Sequence, residues 1–174
     1  MKITRLLSLF LFYTVLSGCT SIPKNINPVR SFDENRYLGK WYEIARLDHS
    51  FERGLSHVTA EYHLRSDGGI GVTNRGFSIT ENKWKEASGK AYFVGKRNVG
   101  HLKVSFFGPF YSSYIIFDLD RDDYRYAYIT GYNKSFLWFL SREPIVSHAL
   151  KEQFIQKSKE LGFKTDTLIF PAQH

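Results

Sequence analysis

Residues 57–65 read His-Val-Thr-Ala-Glu-Tyr-His-Leu-Arg, and apolar side chains occupy every second position of this stretch. Side chains of a β-strand point alternately to opposite faces, so the pattern predicts a strand with one buried and one solvated face. Asp67-Gly68-Gly69 follows and supplies the positive φ angles of a tight turn. Residues 70–77 then predict a second strand, with Ile70 and Val72 on one face. The stretch as a whole predicts an antiparallel β-hairpin.

The same period of two recurs along the chain on both sides of this hairpin. Further strands are predicted at residues 41–47, 85–94, 101–107, 112–119, 124–130 and 136–141. Aromatic residues make up 17% of the sequence, and they favour strands because they pack well on a pleated surface. Eight sequential strands with short turns indicate an all-β, eight-stranded, antiparallel up-and-down β-barrel, which leaves no sheet edge unpaired.

The period changes after the eighth strand. Pro144 is predicted to open one C-terminal α-helix that runs to about Leu161 and packs outside the barrel, with Gly162 as its stop signal. Ile145, Ala149, Phe154 and Leu161 form its predicted apolar stripe. Residues 167–170 are predicted to form a short ninth strand.

The first eighteen residues are typical of a secretory leader. Lys2 and Arg5 form a charged region, and residues 6–16 form an apolar run too short to span a bilayer. Leu16-Ser17-Gly18-Cys19 resembles the lipobox of bacterial lipoproteins, which implies cleavage before Cys19 and acylation of its thiol. The alternative is a free thiol after an ordinary signal peptide. Because Cys19 is the only cysteine, no intrachain disulfide is possible.

Three segments follow from this reading. Residues 1–18 are the predicted lipoprotein signal peptide, residues 19–30 a tether from the lipidated cysteine, and residues 31–174 the barrel domain. Resemblance to sorted lipoproteins implies the outer membrane, because Thr20 rather than Asp follows the cysteine. Stable anchoring takes more than one acyl chain, and the resemblance implies three on Cys19. The periplasmic face is the expected side of the membrane.

The net charge of +7 does not indicate a nucleic-acid partner, because lysine and arginine are scattered among acidic residues. A barrel that spans the membrane is the obvious rival at this strand count, and it needs an apolar band facing lipid on every strand. The opposite faces of the predicted strands instead carry polar residues, among them Glu61, His63, Lys103 and Arg125. The sequence therefore favours a barrel in water.

Three short motifs carry a resemblance to the lipocalin family. Gly39-Lys40-Trp41 resembles the Gly-x-Trp motif that opens the lipocalin barrel. Asp118-Leu119-Asp120, followed by Tyr124, resembles the second motif, although it lacks the Thr-Asp-Tyr form. Leu140-Ser141-Arg142 resembles the third motif, and a helix follows it as in the family. With the lipobox, the chain is most similar to the bacterial outer-membrane lipocalins, relatives of apolipoprotein D.

The resemblance implies structural roles for three residues. Trp41 is expected to plug the closed end of the barrel, and Arg142 to lie across its indole as a cation–π pair. Gly39 is expected to let the chain turn tightly into the first strand. If Arg142 belongs to the inward set of the eighth strand, the phase of the other strands follows from their apolar faces.

This phase predicts fifteen residues that line a ligand cavity: Glu43, Val58, Ala60, Tyr62, Val72, Asn74, Leu102, Val104, Phe106, Tyr114, Ile116, Tyr126, Tyr128, Trp138 and Leu140. An apolar wall with a few hydroxyls suits an amphipathic ligand, with its tail inside and its head near the mouth. A buried carboxylate is costly without a partner, so Glu43 is expected to meet water, a tyrosine hydroxyl or a ligand head group. The loop at residues 48–56 either covers the open end or is a solvated loop.

A fatty acid or a lysophospholipid, stored or transported in the cell envelope, is the expected ligand, and no cofactor, metal or catalytic residue is expected. None of the histidines has metal-ligand spacing, and each is expected at the surface or as a cap. A lipid esterase is one alternative, although the Gly-x-Ser-x-Gly motif is absent. A structural envelope protein with a packed barrel is another. A homodimer is possible.

Overall fold

The computed structural model describes residues 20–173. The predicted signal peptide and Cys19 lie outside the described residues, as does His174. The eight strands are β1 Gly39–Arg46, β2 Leu55–Leu64, β3 Ile70–Ser78, β4 Lys83–Phe93, β5 His101–Phe107, β6 Phe110–Leu119, β7 Tyr126–Thr130 and β8 Leu137–Ser141. The helices are α1 Glu34–Tyr37 and α2 His148–Glu160, followed by a 3₁₀ turn at Thr165–Thr167.

The strands pair in sequence order, and β1 pairs with β8 to close the barrel. Every pairing is antiparallel. The predicted eight-stranded barrel with one C-terminal helix is therefore confirmed. Its closed end holds α1 and the β2–β3, β4–β5 and β6–β7 connections, and its open end holds the other four loops.

A β-bulge between Glu43 and Ala45 shifts the register of β1 against β8. Strict alternation from Trp41 places Ala45 inside the barrel and Arg46 outside. After the bulge, Ala45 instead packs in the apolar cluster outside the barrel wall, and Arg46 is 1% exposed. The buried members of this outer cluster are Ile26, Ile44, Ala45, Leu47, Ile115, Phe117, Tyr128, Leu137, Phe139, Phe154 and Phe163. One extra residue exchanges the two faces of a strand, so the bulge turns a charged side chain inward.

Helix α2 covers the outer wall of the barrel. Ser147 caps its N-terminus by accepting a hydrogen bond from the Leu150 amide at 3.2 Å. Phe154 is fully buried against the rings of Tyr128 and Phe139. The helix begins later than Pro144, and the predicted stripe is wrong in part, because Ile145 and Ala149 are exposed.

The chain on either side of the barrel also packs against it. Ile26 and Val29, in the segment predicted as a tether, are buried, and the Val29 amide donates to the Ile116 carbonyl at 2.9 Å. The predicted ninth strand is wrong, since this stretch forms only one bridge, between Arg46 and Ile169. Within residues 20–173, no helix is long and apolar enough to cross a membrane.

Candidate functional site

The interior of the barrel holds a cavity of about 660 Å³ that opens between the loops of the open end. This volume lies in the range of about 300–1,000 Å³ typical of small-molecule pockets. Twelve of the fifteen residues predicted to line it do so: Glu43, Val58, Ala60, Tyr62, Val72, Asn74, Leu102, Val104, Phe106, Tyr114, Trp138 and Leu140. Whether they contact a ligand stays a prediction.

Three predicted lining residues lie elsewhere. Ile116 points inward but packs in the core beneath the cavity, where its carbonyl accepts from Val29. Tyr126 and Tyr128 belong to the outer cluster, and the Tyr128 ring lies 4.9 Å from that of Phe154 on α2. The inward placement of these two tyrosines is wrong because helix α2 buries the outer face of β7, so that both faces of the strand are apolar.

The closed end is built around Trp41 and Arg142. The Arg142 guanidinium lies 3.9 Å from the centroid of the fully buried Trp41 ring, as the resemblance implies. The guanidinium also donates to the carbonyls of Arg36, Leu38, Lys40 and Tyr124, at 2.7 to 3.4 Å. Gly39 has a φ of +89°, a conformation that favours glycine. Arg142 thus ties α1 to the first and last strands.

Three tyrosine hydroxyls meet inside the cavity, above this plug. Tyr114 lies at the centre, 2.7 Å from the hydroxyl of Tyr37 and 2.8 Å from that of Tyr62. Burial raises the pKa of all three phenols, so they remain protonated at any physiological pH. Tyr37 comes from α1, which the β-strand pattern did not reveal. The group gives the apolar wall a polar spot that both donates and accepts hydrogen bonds.

A buried ion pair occupies the β1 side of the cavity. The Arg46 guanidinium lies 2.5 Å from the Glu43 carboxylate and also donates to the Glu52 carbonyl at 2.8 Å. Both side chains are almost fully buried. Burial and the nearby Glu52 raise the pKa of Glu43, and Arg46 opposes that rise. The prediction for the partner of Glu43 was therefore wrong, since the bulge supplies an arginine from its own strand.

The β1–β2 loop covers part of the mouth. Phe51, Glu52 and Leu55 line the cavity, which favours a loop over the open end rather than a loop surrounded by solvent. The Trp138 indole donates to the Glu52 carboxylate at 3.0 Å, and His49 Nδ1 lies 3.0 Å from the same oxygen. His49 is buried among aromatic rings, so its expected place at the surface was wrong.

Two cations line the cavity near its mouth. Arg75 on β3 and Lys85 on β4 are both exposed and border the opening. The Arg75 guanidinium stacks 4.3 Å from the Trp84 ring, and Lys85 pairs with Glu81. Pairing of β4 with β5 runs only from Lys90 to Phe93, so the two strands diverge toward this side of the mouth.

The described residues hold no group of three or more histidine, cysteine or acidic side chains that could bind a metal ion.

His101 is buried, contrary to its expected surface position, and burial lowers its pKa. His148 is exposed, as expected. Ser78 is buried and bonds to Thr80 and to the Glu81 amide, which is a turn arrangement.

The chain is similar to known proteins over most of its length. A family model described as "Lipocalin-like domain" matches residues 32–173. "Outer membrane lipoprotein Blc" of Vibrio cholerae is 56% identical over 97% of this chain and 99% of its own length. The Escherichia coli K12 protein of that name is 44% identical over 93% of this chain and 91% of its length. Among solved structures, the cockroach allergen Per a 4 superposes with a TM-score of 0.67 at 20% identity, over 89% of this chain and 96% of its own.

Proposed function

Because the chain belongs to the lipocalin family, we propose that it is an outer-membrane lipoprotein that binds one fatty acid or lysophospholipid in its barrel and stores or transports it. The single observation that carries this proposal is the 660 Å³ cavity, which is apolar along most of its wall and open at one end. The names of the two bacterial relatives support the location in the outer membrane and the lipid anchor on Cys19.

The apolar wall suits the acyl chain of such a ligand. It runs across β3 to β5, where Val72, Ala91, Leu102 and Val104 face the interior. Each methylene buried there contributes about 0.8 kcal/mol, so a long chain gains much of its affinity from this wall. The carboxylates of Glu43 and Glu52 lie on the opposite side of the cavity.

The mouth suits an anionic head group. Arg75, Lys85 and Glu86 all border the opening, and Lys85 shares the inward face of β4 with Ala87, so a carboxylate or phosphate placed there gains one cationic partner. Fatty acids and lysophospholipids share this chemistry, because each has one acyl chain and an anionic carboxylate or phosphate group in its head. The tail then lies inside and the head near water, which avoids burial of a charge.

The test measures lipid binding by the full-length protein. Lipids that co-purify with it are identified by mass spectrometry after extraction, and fluorescent fatty acid and lysophospholipid are then titrated against delipidated protein. Val104→Trp fills the cavity and is expected to weaken binding of both at least tenfold. Lys103→Trp, on the outer face of the same strand, is the matched control and is expected to bind as the parent protein does.

Three results would contradict parts of the proposal. Absence of saturable binding at micromolar lipid, from a folded sample that carries no lipid, favours a structural protein with a packed barrel. Release of free fatty acid from bound lysophospholipid favours an esterase instead of a protein that performs no catalysis. Equal loss of binding in the two tryptophan variants places the ligand outside the barrel.

A further inference from the structure

The open end of the barrel carries a group of exposed apolar side chains, which we call the rim: Phe51, Ile79, Phe107 and Phe110. Their exposed fractions are 61%, 66%, 83% and 66%. Phe51 comes from the β1–β2 loop, Ile79 from the β3–β4 turn, and the two other phenylalanines from the β5–β6 hairpin. Large apolar side chains gathered on one surface mark an interaction site.

The charges beside the rim indicate what kind of surface it meets. Arg53 pairs with Asp48, and Lys83 and Lys85 both pair with Glu81. Three cations thus face two acidic partners, and an excess of one positive charge does not favour an acidic protein or a nucleic acid. An apolar phase bordered by head groups of both signs fits such a surface better.

The start of the described chain indicates where that phase lies. The Ser21 carbonyl accepts a hydrogen bond from the Ser113 hydroxyl at 2.9 Å, and its own hydroxyl donates to the Tyr132 carbonyl at 3.4 Å. Ser113 and Tyr132 both border the cavity. Thr20 follows Cys19 directly and its backbone meets His101 at the start of β5, so an acyl anchor on that cysteine joins the barrel on the side wall formed by β5 and β6, the strands whose hairpin carries Phe107 and Phe110.

We propose that the rim docks onto the phospholipid membrane that holds the protein's own anchor, with the mouth of the cavity against the bilayer. This inference rests on the lipid anchor in the proposed function. Docking in this orientation lets a lipid pass between the bilayer and the cavity without crossing bulk water. Contact is driven by burial of the rim side chains, so it depends only weakly on salt.

The test uses the fact that Cys19 is the only native cysteine, because acylation leaves no thiol to compete with an introduced one. Ile79→Cys at the rim and Leu64→Cys at the closed end are each labelled with an environment-sensitive fluorophore in the acylated full-length protein. Both parent side chains are exposed, at 66% and 50%, and neither lines the cavity. The proteins are placed in phosphatidylethanolamine–phosphatidylglycerol vesicles that contain a spin-labelled lipid as quencher.

The label at position 79 is expected to be quenched at least threefold more than the label at position 64, in low and in high salt. Equal quenching, or stronger quenching at position 64, overturns the orientation. Dimers in sedimentation, with position 79 shielded from water but not quenched, assign the rim to a second copy of the chain. Flotation with the vesicles tests the lipid anchor separately. A protein that does not float contradicts both the anchor on Cys19 and the docking of the rim on the membrane.

A functional variant adds an independent readout. Ile79→Asp places a charge at the rim and is expected to slow uptake of a fluorescent lysophospholipid from vesicles at least threefold, with unchanged affinity for the same lipid in detergent. Leu64→Asp is the matched control at the closed end and is expected to leave both quantities unchanged. Uptake at the parent rate in the Ile79 variant contradicts docking through the rim.

Discussion

Replacing Arg46 with methionine removes the cation from the buried Glu43–Arg46 pair but keeps a long apolar side chain. Loss of one partner from a buried ion pair costs about 3–5 kcal/mol, because the other charge stays buried without compensation. The Glu52 carbonyl also loses its donor. We therefore expect Arg46→Met to lower the free energy of unfolding by about 3–5 kcal/mol at pH 7.5.

The cost depends on pH because Glu43 can avoid its charge by binding a proton. Burial and Glu52 hold the pKa of Glu43 above its ordinary value of 4.5 in the folded protein. A carboxyl whose folded pKa is raised carries no penalty below the unfolded pKa, and the penalty grows as the pH rises from the unfolded pKa to the folded pKa. Loss of Arg46 raises the folded pKa further, so the destabilisation is expected to grow as the pH rises from about 4.5.

Urea unfolding followed by tryptophan fluorescence at pH 5, 6, 7 and 8 measures this effect. Arg53→Met is the matched control, because Arg53 pairs with Asp48 on the surface, and exposed pairs contribute about 0–1 kcal/mol. The variant with both Glu43→Gln and Arg46→Met is expected to recover part of the loss at pH 7 and 8. A cost for Arg46→Met no larger than that of Arg53→Met, or the same at every pH, refutes the reasoning.

Three further predictions test the closed end, the hydroxyl group and the helix. Arg142→Lys keeps the charge but cannot donate to four carbonyls at once, so it is expected to lower the free energy of unfolding in urea by about 2–4 kcal/mol. A loss below about 1 kcal/mol contradicts the role of the guanidinium group. Tyr114→Phe leaves two buried hydroxyls without their shared partner and is expected to cost about 1–3 kcal/mol, whereas Tyr126→Phe on the outer wall is the near-neutral control. Phe154→Ala is expected to lower the free energy of unfolding by about 3–5 kcal/mol. The variant protein that remains folded is expected to bind lipid with unchanged affinity, and a loss of affinity would mean that the outer wall contributes to the binding site.

The barrel was predictable from the sequence because each strand repeats its apolar residues with period two. The hairpin at residues 57–77 shows this, since observed β2 and β3 differ from the predicted strands by at most two residues at either end. Trp41 and Arg142 were predictable because the resemblance places them together, and the indole and guanidinium are in contact. The twelve lining residues follow from the same alternation.

The errors arise where alternation alone does not determine a face. On β7, Tyr126 and Tyr128 alternate with Ala127 and Ile129, and both sets are apolar. The choice depends on a helix that comes from a distant part of the chain, so no local pattern reveals it. On β1, a single bulged residue reverses the phase and brings Arg46 inside, and nothing in the alternation marks that residue.

The seam between β1 and β8 has a consequence for folding kinetics. Seven of the eight strand pairings join neighbours in the sequence, whereas this seam joins residues as far apart as Glu43 and Leu140. Contacts so distant along the chain form late, because a large loop must first close. We therefore expect nascent chains that end before Leu137 to remain open sheets, vulnerable to proteases and aggregation until the final strand arrives.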